Sequence, residues 1–441
     1  MALGGGSFGV GNKILPGSYI NFVSAKNINN AFGERGVAAI IAPLDYLNGD
    51  GIVELTKEKF MKESLKILGY ECGHERLMRI RDFFKHGKKL YLCAGVELKK
   101  ASCKYGTTVS GGSRANKIRI TLANIAPGTK LVRTYMEDIL VDSQTVATPA
   151  ELVDNDYIIW NRSAAFIPQN EQVTMRDGKN DEYIEVSASL ARLGELEDYN
   201  FNILAIDGED DEISLPTVEY TKRMRDEVGK KFQTIIFTEY GYNMEFNYEG
   251  IINFTRGSAH DGFADHAGAT FWLAGAMAGC SINSSLTNML YDGEVTLAER
   301  PYGYNDAELL INQGMIDFHK VDGEYRIISD ITSFIRTTSE KGEDFKSNQT
   351  IRVLDQIAMD IATIFNKGYI GRVQNDDAGR GALWADIVRH HEKLAALRAI
   401  ENFDENDVII EKGETKNSVI VYDAITPVNA MSQLYMKVSV E

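Results

Sequence analysis

The sequence predicts an α/β protein interrupted by an antiparallel sheet or small β-sandwich, with an α+β C-terminal segment and a strand at each end. Three observations lead there. Buried apolar runs alternate with helical patterns between Val37 and Val96, and again beyond Asn200. Between those stretches, glycines and short alternating runs take over. Near the end, two amphipathic helical patterns precede further β-rich runs.

The chain opens with MALGGGSFGVGNKILPGSYINF, in which Gly4, Gly6 and Gly9 spell G-x-G-x-x-G. A dinucleotide loop needs a strand before it and a helix after it. Here only Met1 to Leu3 precede, and the turn signal Leu15-Pro16-Gly17 follows. The stretch reads instead as a pliable tether (Gly4, Gly5, Gly6, Gly9, Gly11) leading into a short strand. In that strand Ile20 and Phe22 share one face, and Tyr19, Asn21 and Val23 share the other.

The apolar run Val37 to Pro43 is then a strand. Helices are expected over Lys57 to Leu68 and Glu75 to Lys85, the second with Leu77, Ile80, Phe83 and Phe84 on one face. Lys89 to Val96 is another buried strand. The texture changes near Lys104, and the runs 117–122, 130–136, 139–146 and 156–161 predict the antiparallel insertion. Alternation resumes with strands at 201–207, 232–239 and 250–257 and a helix from Thr217 to Lys231, with Pro216 marking its start. The Ala- and Gly-rich helix through DHAGATFWLAGAMAG is expected to pack closely against a neighbour. In the last segment Ile351, Leu354, Ala358, Ile361 and Phe365 form one stripe, and Leu383, Ile387, Leu394 and Leu397 another. The terminal run alternates Leu434, Met436, Val438 and Val440 with Tyr435, Lys437, Ser439 and Glu441, a strand pattern.

Composition narrows the function classes. With 47 basic and 63 acidic residues the net charge is −16, which disfavours non-specific binding to nucleic acid. No apolar run is long enough to span a membrane, and no secretory signal pattern stands at the N-terminus. The 4 cysteines (Cys72, Cys93, Cys103, Cys280) form no C-x-x-C pair and fit isolated thiols in a reducing cytoplasm.

Candidate chemistry is sparse. His260, Asp261, Asp265 and His266 cluster in SAHDGFADHAG, but the two histidines lack i, i+4 spacing, and capping of the following helix accounts for them. No serine sits in G-x-S-x-G. The acidic run Asp207 to Ser214 has Glu212 where a calcium loop needs Gly and Val218 where it needs Glu, so it reads as a solvated loop. His390 and His391 are adjacent on a helix and point apart. No metal, cofactor or catalytic residue is assigned.

At GSAHDGFADHAGATFWLAGAMAGCSINSSLTN (Gly257 to Asn288) the chain resembles the contractile tail sheath proteins of phages and phage-derived bacteriocins, above all the shorter sheaths of Gram-positive phages. YGTTVSGGSRANKIRI resembles the start of that family's β-sandwich insertion. DITSF (Asp330 to Phe334) resembles the lead-in to its C-terminal domain. RVLDQIAMDIATIFNKGYIGRVQND (Arg352 to Asp376) resembles that domain's first helix, SVIVYDAITPVNAMSQLYMKVSVE its terminal strands, and LPGSYINFVSA its N-terminal arm.

The resemblance implies a subtilisin-like α/β domain without protease activity. It divides the chain into an N-terminal arm (1–30), a first α/β part (31–103), the β-sandwich (104–195), the main α/β part (196–335), the C-terminal domain (336–430) and a C-terminal arm strand (431–441). It implies a non-enzymatic subunit of stacked hexameric rings around a tail tube, contracting by reorientation to drive the tube through a cell envelope. Its partners are then further copies of itself, the tube protein, and baseplate and terminator proteins, with no nucleic acid and no membrane insertion. The particle is built in the bacterial cytoplasm and released by lysis. The inter-subunit strands are Tyr19, Ile20, Asn21, Phe22 and Val23 at one end and Leu434, Tyr435, Met436, Lys437, Val438 and Val440 at the other. Tube contact falls to polar residues of the Gln349–Lys367 and Ala378–Glu401 helices. The alternatives are an α/β hydrolase with a subtilisin-like or metal-dependent site around His260 to His266, and a non-contractile structural or binding module.

Overall fold

The computed structural model describes residues 33–181, 183–208, 211–238, 245–255, 269–298 and 304–440. At its centre is a seven-stranded sheet in the order Met315–Ile316, Ile251–Phe254, Gln233–Phe237, Ile203–Ile206, Val37–Ala42, Lys89–Ala94, Ile52–Thr56. Neighbours run parallel except at the last edge, where Ile52–Thr56 is antiparallel to Lys89–Ala94. The inner strands are apolar on both faces, as a sheet covered on both sides requires. Ala38, Ile40 and Ala42 join the core beneath helices Lys57–Leu68, Met78–His86 and Thr270–Gly279. Val37, Ala39 and Ile41 turn the other way, toward Val186–Glu195 and Asp211–Lys222. The result is a three-layer α/β/α unit.

Local chemistry sets the helix limits. Thr56 caps Lys57–Leu68 by accepting from the Lys59 amide at 3.2 Å. Gly69 ends it at φ 74°, a left-handed conformation that costs glycine nothing. Helices Met78–His86 and Thr270–Gly279 meet backbone to backbone. A Cβ added at Gly275 would stand 2.3 Å from the Phe83 carbonyl oxygen, and one at Gly279 2.2 Å from that of His86. This is the close packing expected of the Ala/Gly-rich helix.

Two antiparallel sheets follow the first α/β stretch. One runs Glu171–Thr174, Ile118–Ala126, Thr129–Met136, Ile139–Val146; the other runs Lys100–Cys103, Gly106–Gly111, Ile158–Trp160. They share a core in which Ala101, Tyr105, Ile118, Ile120, Val132 and Trp160 are buried. The β region therefore begins at Lys100. The last ten residues of the 104–195 stretch form helix Val186–Glu195, whose Leu193 packs on the central sheet.

Two further expectations need correction. The run read as a solvated loop to Ser214 enters a helix, Asp211–Lys222, with Pro216 inside it and not at its start. As the sixth residue Pro216 lies past the first turn and forgoes one intrahelical N–H bond, and the buried Ile213 and Val218 on either side hold the helix to the core. Leu397 is 44% exposed, because the second C-terminal helix ends at Ala396.

The C-terminal part holds helices Asn348–Gly368 and Asp377–Ala396, capped by Ser347 and Asp376. Beside them lie the hairpin Val408–Lys412/Val419–Asp423 and the short pair Ile400–Glu401/Thr426–Pro427. Among the described residues no helix is long and apolar enough to cross a membrane.

Candidate assembly elements and the domain joint

The described C-terminal tail is exposed chain. Leu434, Tyr435, Met436, Val438 and Val440 are 85%, 88%, 75%, 69% and 94% exposed. Among the described residues the segment makes no ladder, so the expected terminal strand has no partner there. Large apolar side chains alternating along an unpaired backbone form a surface suited to strand addition. In the nearby hairpin Ile409 and Tyr422 are 51% and 55% exposed, and the described structure pairs neither of its outer edges. Tyr19, Ile20, Asn21, Phe22 and Val23, and the tether glycines Gly4, Gly5, Gly6, Gly9 and Gly11, lie outside the described residues.

The root of the tail is held. Gln349 Nε2 donates to the Val428 carbonyl at 3.0 Å, and its Oε1 accepts from the Ala430 amide at 2.9 Å. Asn429 Oδ1 accepts from Ser347 Oγ at 3.0 Å. The Val428 amide donates to the Ala399 carbonyl at 3.0 Å.

The other end of the described chain is held on the same helix. The Gly33 amide donates to Asp360 Oδ1 at 2.7 Å, and Gln356 Nε2 donates to that oxygen at 3.0 Å. Arg35 Nε donates to the Cys280 carbonyl at 3.1 Å, at the C-terminus of helix Thr270–Gly279. Asn202 Oδ1 accepts from the amides of Gly36 (3.0 Å) and Val37 (3.1 Å).

Between these roots the helix is bolted to the α/β unit. Arg225 makes a two-pronged pair with Asp355, at 2.6 and 2.8 Å. Burial opposes the Arg225 charge most strongly, but Asp355 together with Tyr248 and Glu249 raises the guanidinium pKa. Arg352 Nη2 donates to Asp330 Oδ2 at 2.6 Å, with both side chains buried. Burial pushes the Asp360 carboxyl up to about 7.

Gln349, Arg352, Asp355, Gln356 and Asp360 are thus committed inside the subunit, which corrects their assignment to tube contact. Gln349, Arg352 and Asp355 are three residues apart and Gln356 and Asp360 four apart, interleaved with the apolar stripe, and that spacing was the overlooked signal. On the second helix Lys393 remains exposed, as does Arg398 just beyond its end.

Other flagged residues separate. His390 Nε2 lies 3.3 Å from Asp360 Oδ2 and His391 Nε2 lies 3.1 Å from Asp423 Oδ1, so the adjacent rings do face different partners. Burial pushes both imidazoles down. All four cysteines are free thiols. His260, Asp261, Asp265 and His266 lie outside the described residues. Among the described residues no group of three or more His, Cys, Asp or Glu could hold a metal ion.

The comparisons with known proteins meet this geometry directly. The family model for the phage tail sheath protein central domain matches residues 179–333, and that for the phage tail sheath C-terminal domain matches 340–441. Together they span more than half of the sequence. The chain belongs to the phage tail sheath family. This sheath protein is 26% identical to the phage-like element PBSX protein XkdK of Bacillus subtilis, over 99% of this chain and 100% of that one. Its structure is similar to the sheath tail protein of Desulfitobacterium hafniense, with TM-score 0.78 and 28% identity, over 96% of this chain and 99% of that one. It is also similar to the sheath tail protein Lin1278 of Listeria innocua, with TM-score 0.76 and 25% identity, over 91% and 93%. The family is structural, and sheath proteins belong to phage-type tails.

Proposed function

We propose that this chain is the subunit of a contractile tail sheath, assembling as stacked hexameric rings around a tail tube. Contraction is a reorientation of whole subunits onto more extensive interfaces, which drives the tube through the target envelope. The observation that carries the reading is the tail from Leu434 to Val440, apolar, exposed and without a strand partner among the described residues. Exposed apolar chain of this kind is costly unless another copy covers it.

In this reading the tail adds to the edge of a neighbour's Val408–Lys412/Val419–Asp423 hairpin. Tyr19 to Val23 adds from a second neighbour, with the Gly4–Gly11 tether as its flexible lead. The units are an N-terminal arm (1–30), a subtilisin-like α/β scaffold without protease activity (31–103 and 196–335), a β-sandwich (104–195, with its last helix returned to the scaffold), a C-terminal domain (336–430) and an arm strand (431–441). Tube contact moves to exposed positions of the second C-terminal helix, such as Lys393. The tube, baseplate and terminator proteins are the remaining partners. The particle assembles in the bacterial cytoplasm and is released by lysis; no cofactor, nucleic acid or membrane insertion takes part.

Electron microscopy of the purified protein tests this. Hollow sixfold tubes are expected from the full chain, and dispersed folded monomers from a chain lacking 1–25. Tubes of normal abundance from the shortened chain would remove the arm mechanism.

A further inference from the structure

We infer that helix Asn348–Gly368 is a positioning hub that fixes the roots of both arms, Gly33 at one end and Val428 to Ala430 at the other, on one rigid rod. This rests on reading the two chain ends as exchanged arms, and it adds where they are held and by which side chains.

Two features converge on the helix. The Gln349 amide grips the backbone on both sides of Asn429, as a paired strand would, while Asn429 itself reaches Ser347 and Thr350 at the helix start. Further along, Asp360 and Gln356 hold Gly33, with Arg35 and Asn202 securing the next residues to the α/β unit. From Gln349 to Asp360 the rise is about 16 Å along the axis. The two departure points therefore keep a fixed spacing and direction. The Arg225–Asp355 and Arg352–Asp330 pairs tie the rod to the α/β unit between them.

The consequence is mechanical. When a subunit turns, both roots turn with it by the same angle, and slack is confined to the arms. Fixing a root also lowers the ordering cost of strand addition, because residues already held lose no freedom on pairing. Gln349, Asn429 and Asp360 are positioning residues in this scheme; the arm strands do the pairing.

The test uses the full-length monomer and compares Gln349→Ala, Asn429→Ala and a chain lacking residues 431–441. Asn429 is exposed, so its substitution leaves the interior intact. Hydrogen–deuterium exchange of peptides covering 426–432 reads the root, and the protein concentration at which tubes first form reads assembly. Faster exchange in both variants, with a threshold raised about tenfold, supports the hub, since a freed backbone residue must be ordered again on pairing. Unchanged exchange in both, or faster exchange with an unchanged threshold, overturns it and leaves the arms in place. Normal tubes from the truncated chain overturn the C-terminal arm itself, whatever the root does.

Discussion

Two buried helices of this molecule solve different problems. Thr270–Gly279 is buried from Thr270 to Ala278 and carries no charged residue. Asn348–Gly368 is as deeply buried over its first half, yet Gln349, Arg352, Asp355, Gln356 and Asp360 are among its covered residues. The first packs by shape, with glycines that admit a neighbouring backbone. The second packs by pairing, and its polar groups meet four different parts of the chain: the tail root, Asp330, Arg225 and Gly33. Apolar contact is non-directional, whereas a buried ion pair has one low-energy arrangement. A scaffold can rely on the former; a joint that must keep its angle under load benefits from the latter.

The largest effect that separates the two modes comes from breaking a pair. Asp355→Ala leaves Arg225 charged and unpaired in the interior, and should cost about 3–5 kcal/mol of stability. Urea unfolding measures it; a loss below about 1 kcal/mol would mean the pair is bystander chemistry. The double variant Arg225→Met with Asp355→Leu should recover most of the loss, since apolar replacement of a buried pair is often neutral. Next comes shape. Gly275→Val drives a side chain against the Phe83 carbonyl and should cost about 1–3 kcal/mol. Thermal melts check this, and a wild-type melting temperature would show slack between the two helices.

The two modes were also unequally legible in the sequence. Continuous apolar runs such as Val37–Ala42 and Gln233–Phe237 announce strands covered on both faces, and these were read correctly. Ile52–Thr56 escaped because it is short and buries only Val53 and Leu55. Met315–Ile316 is too short to leave any period. Helix Val186–Glu195 escaped because it exposes Leu190 and buries Ser189, which blurs its apolar face. Family resemblance was legible from whole blocks of sequence, and the family models agree with it. The joint was not, because a polar residue in a helix normally signals a solvated face, and only the fold supplies the partners 130 and 22 residues away for Asp355 and Arg352.

The smallest effect per step concerns Asp360, which faces the Gly33 amide, Gln356, His390 and, more distantly, Arg35. Burial raises its carboxyl to about 7, while an unfolded chain ionises near about 3.9. Between those values the folded protein keeps a proton that the unfolded chain has released. Its contribution is therefore fully present at low pH and is lost as pH rises, by at most about 1.4 kcal/mol per pH unit. Asp360→Asn removes this titration but keeps an oxygen for the Gly33 amide. The stability difference between the two proteins should consequently shift against the wild type from about pH 4 to 7. Burial holds His390 neutral across that window, so it leaves the difference unchanged. Urea midpoints of both proteins at several pH values give the slope. A difference that moves toward the wild type only below about pH 5, with no loss between about pH 5 and 6, would mean that Asp360 is an anion paired with a charged His390, and the root of the N-terminal arm would then be held by an ion pair of the same kind as Arg225–Asp355.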